Sequence, residues 1–379
     1  MQNEWASIFS MNTTNQKIKW MARALQLAKR GIYTTDPNPQ VGCVLVQNNQ
    51  IVGEGWHQRA GEGHAEVNAL TDAGDNAHGA DCYVTLEPCS HFGRTPPCAD
   101  SLIAAGVNHV YIAMMDPNPT VSGNGINKLK NAGIGVTVGI LQQQAEELNP
   151  GFCQRMRLGR PYVRSKIAMS LDGRTAMASG ESQWITGPDA RQDVQKLRAR
   201  SSAILTGIGT VLADDPALTV RPEGDWYPQD QSVRQPLRIV VANQSISQHA
   251  RLFDDPYPVL VVTNKLQQVN KYAEIVTRAD ENGHVDLTKM MTELAKREIN
   301  EVMVEAGSVL NGALLEAKLI DEIIIYMAPK LMGDSAKGLF HLPELQAMEQ
   351  NINLTITDIR AVGNDWRITA KPIYNKAER

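Results

Sequence analysis

Short apolar strands alternate with amphipathic helices along this chain, and the alternation breaks once. That pattern calls for α/β layers, because each strand and each helix has an apolar side that must be covered by the other. Residues 18–30 read as a helix, with Ile18, Met21, Ala22, Leu25 and Ala28 at helical spacing and Gly31 as its stop. Residues 34–39 form a loop punctuated by Pro37 and Pro39. Strands at 41–47 and 50–57 follow, joined by a turn at Asn48-Asn49. Helices at 64–73, 98–105 and 126–132 then alternate with strands at 82–86, 110–114 and 135–140. The break comes at Leu148-Asn149-Pro150-Gly151, with a second at Gly159-Arg160-Pro161. Beyond it, strands are expected at 162–170, 203–206, 237–241, 258–263, 301–305, 322–327, 352–362 and 365–373, with a helix at 189–200. A length of 379 residues suits two domains at roughly 150 residues each. The reading is therefore a flexible extension at 1–15, one domain at 16–158 and a second at 159–379.

Charge and cysteine usage exclude several function classes. Residues 1–158 carry 11 Lys+Arg and 13 Asp+Glu, and the remainder carries 26 and 28, so each half is -2 and neither is a basic nucleic-acid module. No apolar run nears the ~18 residues that span a bilayer, and residues 1–16 lack the pattern of a secretory signal. Five cysteines are too few, and odd in number, for a disulfide framework; a reducing cytoplasm is expected.

Two of those cysteines belong to the strongest signal in the chain. His64-Ala65-Glu66 is followed by Pro88-Cys89 and, after eight intervening residues, by Pro97-Cys98. An imidazole and two thiolates suit Zn²⁺, and three protein ligands leave a fourth position for water. Such a water becomes nucleophilic near neutral pH. Glu66, two residues past His64, stands where a proton shuttle belongs: beside the water and off the metal. His64 and Cys98 also head helices, whose positive ends favour thiolate. Cys43 and Cys82 fall in apolar strands and are read as core; His91, between the two ligand cysteines, is a weak competitor for the metal.

His-Ala-Glu with two cysteines resembles the cytidine/deoxycytidylate deaminases. The eight-residue spacer in Thr85-Leu-Glu-Pro-Cys-Ser-His-Phe-Gly-Arg-Thr-Pro-Pro-Cys98 is longer than the two residues usual in cytidine and tRNA-adenosine deaminases. With Asn38-Pro39, Val41-Gly42 and Asp116-Pro-Asn-Pro119, the chain is similar to the bifunctional deaminase/reductases of riboflavin biosynthesis, from about Trp20 onward. The resemblance implies that His64, Cys89 and Cys98 bind zinc and that Glu66 donates and accepts protons. It also implies that Asn38, His57 and Arg94 contact the ring or phosphate of the substrate. Arg94 suits that task physically, since a guanidinium grips phosphate bidentately.

The second half lacks a Rossmann fingerprint: Gly207-Ile208-Gly209 has no third glycine in place. Glu305-Ala306-Gly307-Ser308, between a strand and the apolar run 309–315, suits a phosphate at a helix N-terminus or a simple turn. Here too the same family resemblance is carried by motifs: Lys166-Ile-Ala-Met-Ser-Leu-Asp-Gly173, Gln183-Trp-Ile-Thr186, Thr210-Val-Leu-Ala-Asp-Asp-Pro216, Leu218-Thr-Val-Arg221 and Val304-Glu-Ala-Gly307. It implies a dihydrofolate-reductase-like α/β domain that uses NADPH. Ala168, Trp184, Thr210, Asp214 and the run Gly307, Ser308, Val309, Leu310, Asn311, Gly312, Ala313 would bind that cofactor. Ser182, Arg198, Leu218, Arg221 and Glu305 would hold the substrate, with Arg198 and Arg221 on its phosphate. Asp172 equally suits a turn, and no general acid is assigned.

The expected protein is thus a cytoplasmic enzyme with a cytidine-deaminase-like three-layer α/β/α domain followed by the reductase domain. Its substrate would be a small phosphorylated pyrimidine, without nucleic-acid or membrane partners, and the resemblance implies a homo-oligomer. Two rivals make different expectations. A tRNA-editing deaminase calls for a basic face and a short spacer; a zinc-stabilised binding protein calls for four protein ligands and no free carboxylate at the metal.

Overall fold

The structure, a computed structural model, describes residues 2–91, 96–119, 121–229, 232–264, 273–281 and 283–374, with the backbone path alone for 2–13. It divides into two compact units, Met1–Leu158 and Gly159–Arg379. In the first, helix α1 (Gln2–Ala28) leads into the hairpin β1 (Gly42–Gln47) and β2 (Gln50–Trp56), then α2 (Ala65–Ala73) and β3 (Asp81–Leu86). Next come α3 (Cys98–Ala104), β4 (His109–Met114), α4 (Asn124–Asn131), β5 (Gly135–Val138), α5 (Gln142–Leu148) and α6 (Pro150–Leu158). The sheet order is β2-β1-β3-β4-β5. β1 runs antiparallel to β2 and β3, while β3, β4 and β5 are parallel.

Glycines in the hairpin determine how the layers stack. Asn48 and Asn49 both take positive φ, the turn that matches strand twist in a two-residue hairpin. Gly42 pairs with Trp56, and its neighbour Cys43 with Gly55, so Gly42 and Gly55 face opposite sides of the sheet. On one side, a Cβ at Gly42 would lie 2.0 Å from the Ala24 carbonyl of α1. On the other, a Cβ at Gly55 would lie 2.3 Å from the Ala69 nitrogen and 2.4 Å from the Ala65 oxygen of α2. Helix backbone therefore rests directly on strand backbone on both faces, giving three layers. β1 is buried along Gly42–Val46 between them.

The second unit holds β6 (Tyr162–Ser170), α7 (Pro188–Arg200), β7 (Ala203–Gly207), α8 (Ile208–Asp214), β8 (Leu237–Ala242), β9 (Val259–Thr263) and β10 (Ala273–Thr277). It continues with α9 (Leu287–Lys296), β11 (Glu301–Val304), α10 (Ser308–Glu316), β12 (Glu322–Ala328), β13 (Leu354–Val362) and β14 (Asp365–Pro372). One nine-stranded sheet runs β10-β9-β8-β7-β11-β6-β12-β14-β13. It is parallel from β10 through β12, and β14 and β13 close it as an antiparallel hairpin. The parallel strands β7, β9 and β11 are buried almost throughout, as strands covered on both faces must be. Arg164 of β6, 2% exposed, pairs with Glu301 and Glu322 at the start of β11 and β12.

Several elements differ from the sequence reading. The first helix begins at Gln2, so the backbone of 2–15 is continuous with it. The pause at 148–151 is the meeting of α5 and α6; Pro150 opens α6, where its missing N–H costs no helical bond. The reading also passed over α8, β10 and α9, although Asp286 caps α9 by accepting a bond from the Lys289 nitrogen at 2.9 Å.

The glycine contacts make a direct expectation. Gly55→Ala forces α2 off β2 and lowers the unfolding free energy by about 2–3 kcal/mol, an overpacking cost, as read from denaturant melts. An unchanged melt would show that α2 does not rest on the strand backbone.

Candidate active sites

In the first unit, β2, β3, α2 and α3 deliver the ligand set to one point. His64 is the residue that caps α2, and Cys98 is the first residue of α3. Cys89 follows the end of β3 by three residues. The His64 Nδ1 lies 3.2 Å from the Cys98 sulfur and 3.6 Å from the Cys89 sulfur. All three donor atoms fall within 4.8 Å of one another, and among the described residues this is the one such group. Zn–N bonds of about 2.0–2.1 Å and Zn–S bonds of about 2.3 Å put tetrahedral ligands roughly 3.5–3.8 Å apart, so the donor set fits zinc. His91 is exposed and is not part of the group.

Electrostatics agree with a metal centre. Hydrogen bonding from Cys98 holds the Cys89 thiol down to about 4, and Cys98 is pushed up in return. A cation does the work of that shared proton for both sulfurs. Glu66 is 4% exposed, in the first turn of α2, with its carboxyl beside the Cys98 thiol. Burial, with the Cys89 charge adding to it, pushes its carboxyl up to about 6.

His57 and Asn38 are joined behind the metal ligands. The His57 Nδ1 lies 3.1 Å from the Gly63 carbonyl, so this nitrogen donates and Nε2 accepts from the Asn38 amide, also at 3.1 Å. The ring is 2% exposed and meets His64 edge-on at 5.4 Å. Burial lowers its basicity, in keeping with a neutral imidazole. Both nitrogens of His57 are therefore taken, which leaves Asn38 as the member able to face a ligand. Arg94 lies outside the described residues.

In the second unit, the expected residues gather at the carboxyl ends of β7, β11 and β6, where open parallel sheets hold ligands. Glu305 directly follows β11. Its carboxylate receives Arg198 through Nε at 2.6 Å and Nη2 at 3.0 Å, with the Lys166 ammonium at 3.6 Å. Arg198 Nη1 donates to the Thr219 carbonyl at 3.0 Å. The guanidinium read as a phosphate ligand is thus committed to Glu305 and to the backbone beside Leu218. Burial alone would raise Glu305, yet Arg198 and Lys166 hold it at about 2. Leu218 is buried with φ of 53°, a strained backbone for a leucine. Arg221 is exposed, with its backbone nitrogen on Gln195.

The cofactor set is placed unevenly. Ala168 lies on β6 opposite Tyr326, and Thr210 lies on α8. Ser182 donates to Asp214 at 3.0 Å. Trp184 is 65% exposed beneath the Arg191 guanidinium, 4.8 Å from its ring centre. Gly307 caps α10, is exposed, and has nothing within 4 Å of where a Cβ would sit. Ser308, Val309 and Leu310 complete that first turn, and Ala313 is half-buried. Asn311 and Gly312 point inward instead. Asn311 accepts from Ser165 at 2.7 Å and donates to the Ala306 carbonyl at 2.8 Å, while Gly312 lets the His341 backbone approach. Helical periodicity explains the split, since one run of seven residues cannot all face one ligand. Asp172 is accounted for as well: it accepts from Ser170 and from the Met332 and Gly333 nitrogens, and so pins a loop.

Comparison with known proteins matches the two units to two families. Residues 14–114 match the cytidine and deoxycytidylate deaminase zinc-binding region, and residues 161–368 match the RibD C-terminal domain. The riboflavin biosynthesis protein RibD of Escherichia coli is 54% identical over 91% of this chain and 96% of its own length. The chain belongs to the RibD family. Solved structures agree. Acinetobacter baumannii RibD superposes with a TM-score of 0.88 at 44% identity, covering 95% of this chain and all of that one. The Thermotoga maritima diaminohydroxyphosphoribosylaminopyrimidine deaminase/5-amino-6-(5-phosphoribosylamino)uracil reductase superposes with a TM-score of 0.85 at 31% identity, with the same coverages. As a RibD enzyme the protein is bifunctional, with a cytidine-deaminase-like zinc-binding half and a dihydrofolate-reductase-like half.

Sequence reasoning missed two residues that the structure brings to these sites. Lys166 is legible only as part of a motif, and Glu87 only as part of Thr85–Cys98. The period-2 alternation of β6 carries no sign that Lys166 will meet a residue 139 positions later; the β6–β11 register supplies it.

The pairing of Glu305 sets a stability expectation. Arg198→Ala strips a buried carboxylate of its bidentate partner and costs about 3 kcal/mol at neutral pH. A carboxylate lowered on folding contributes stability above its unfolded pKa of about 4.3. That contribution fades as pH falls toward the folded value of about 2, so the gap between variant and wild type should narrow on acidification. Urea melts that show no gap at pH 7 would contradict the pairing.

Proposed function

We propose that the first unit hydrolytically removes the 2-amino group of 2,5-diamino-6-ribosylamino-4(3H)-pyrimidinone 5′-phosphate, releasing ammonia. The second unit then reduces the ribosyl side chain with NADPH to give 5-amino-6-ribitylamino-uracil 5′-phosphate. The observation that carries this reading is Glu66, a buried carboxylate placed beside the three donors and not among them. A purely structural zinc site has no use for such a group.

When bound at His64, Cys89 and Cys98, zinc supplies the Lewis acidity that activates water near neutral pH. Glu66 takes a proton from that water and returns protons to the ring and to the departing amine. Its raised pKa suits a group that must both accept and donate. Asn38, oriented by His57, holds the ring. Arg94 holds the phosphate.

In the reductase unit NADPH supplies the hydride, and Gly307 with the first turn of α10 gives its phosphates an open cradle. Ala168, Trp184, Thr210 and Asp214 line the same cofactor. Arg221 takes the substrate phosphate, while Ser182, Leu218 and Glu305 hold the sugar. Arg198, fixed against Glu305, stands with Arg221 as a substrate residue. Lys166 stands beside Glu305, 3.6 Å from its carboxylate. The enzyme is read as a cytoplasmic homo-oligomer acting on a small phosphorylated pyrimidine, without a nucleic-acid or membrane partner. Among the described residues no helix is long and apolar enough to cross a membrane.

Glu66→Ala tests the first step. Ammonia release should fall by at least ~10²–10⁴-fold, the usual worth of a general acid–base group. NADPH oxidation on the pre-deaminated substrate should stay at the wild-type rate. Normal deamination by the variant would sink the assignment.

A further inference from the structure

Glu87, two residues before the ligand Cys89, carries more backbone than any role at the metal requires. Its side chain is 3% exposed. Oε2 accepts from the Asp116 nitrogen at 3.2 Å and the Gly123 nitrogen at 3.0 Å. Oε1 accepts from the Gly125 nitrogen at 3.0 Å and the Ile126 nitrogen at 3.3 Å. One carboxylate thus collects N–H groups from both ends of the β4–α4 connection and from the first turn of α4. The packing is equally close: a Cβ at Gly125 would lie 2.0 Å from the carbonyl of Pro88, the residue between Glu87 and Cys89.

What else holds each part decides the role. The ligands have their own supports. His64 rides on α2, which is seated on Gly55. The Cys98 nitrogen donates to the Cys89 sulfur at 3.2 Å, and the Ala99 nitrogen donates to the Cys89 carbonyl at 3.1 Å. The connection after β4 has mainly local bonds of its own: Val121 and Ser122 nitrogens to Asn118, and the Asn118 nitrogen to Asp116. Glu87 ties it, through four N–H groups, to the residues that lead from β3 into Cys89. The segment matters because it is held against the residues that lead directly into Cys89, with the Asp116 nitrogen on Glu87 and Gly125 on the Pro88 carbonyl.

We propose that Glu87 is a positioning residue of the deaminase site, fixing residues 116–119 and 121–126 as the rim against which the pyrimidine substrate is bound. The carboxylate is required because all four of its partners are donors. A glutamine has nearly the same shape but turns one pair of acceptor sites into a donor that faces two N–H groups. This inference rests on the deaminase reading given above.

The test uses full-length zinc-loaded protein, wild type, Glu87→Gln and Glu87→Ala. Glu87→Gln should keep one zinc per chain and wild-type reduction of the deaminated substrate. Its KM for deamination should rise at least about tenfold while kcat changes less than about threefold, the mark of lost substrate positioning. Amide exchange at Asp116, Gly123, Gly125 and Ile126 should quicken, and Glu87→Ala should go further in the same direction. If the alanine variant fails to fold, the near-isosteric glutamine variant still decides. A KM within twofold of wild type overturns the proposal, and so does loss of zinc in step with activity, which would make Glu87 a prop of the metal loop. Wild-type protein that releases no ammonia from the diaminopyrimidine would overturn the deaminase reading itself; faster exchange in the variant would still locate the Glu87 tie.

Discussion

Two helices begin at one point beside the end of a strand, and the chemistry of the first unit depends on that convergence. His64 caps α2, Cys98 opens α3, and Cys89 leaves β3, so an imidazole and two thiolates meet at the starts of two helices, where the Cys98 nitrogen donates to the Cys89 sulfur. The arrangement depends on two glycines of the hairpin. Gly55 lets α2 sit directly on β2, and Gly42 lets α1 do the same on the other face, so the sheet is gripped from both sides. A helix held this closely has little freedom to tilt, and Glu66 in its first turn is buried beside the sulfurs. Geometry that a proton shuttle needs is then a property of the layer packing, not of a flexible loop.

The second unit solves a different problem, holding charge inside a sheet. Arg164 and Arg198 are both sequestered, each against glutamates that start or follow β11. Arg164 with Glu301 and Glu322 lies at the amino ends of the parallel strands, and Arg198 with Glu305 and Lys166 lies toward the carboxyl ends. The first cluster is remote from the candidate cofactor residues, while the second sits among the residues read as holding substrate. Buried pairs of this kind seldom add much net stability, though removing one partner is costly. The Glu305 cluster makes chemical sense as pre-organisation, a carboxylate and an ammonium fixed among the residues proposed to hold substrate.

Much of this was legible in the residues. Strand–helix alternation predicts the α/β layers, and Asn48-Asn49 marks the hairpin turn that the positive φ angles show. The His-x-Glu and Pro-Cys pairs name the residues that converge, because their spacing is local to two helix starts. What could not be read depends on contacts distant in sequence. Nothing near Arg198 says that it will meet Glu305, a partner 107 residues away. Nothing near His57 says that Gly63 and Asn38 will use both of its nitrogens. The run 307–313 reads in sequence as one cofactor-binding segment, and the helix turns Asn311 and Gly312 inward within it. Pro150 was taken as a breaker when it starts a helix, a position where proline reads the same in sequence either way.

The proposed function has one chain perform two ordered reactions, with the metal needed only for the first. Simultaneous recording of ammonia and NADPH on the diaminopyrimidine substrate tests it most directly, before and after zinc is stripped by a chelator and restored. The account predicts one ammonia per NADPH consumed, with ammonia leading. Stripping should stop both signals on this substrate, leave NADPH oxidation intact on the deaminated one, and be reversed by zinc. NADPH oxidation of the diamino substrate without ammonia release, or ammonia release that survives loss of the metal, would contradict it.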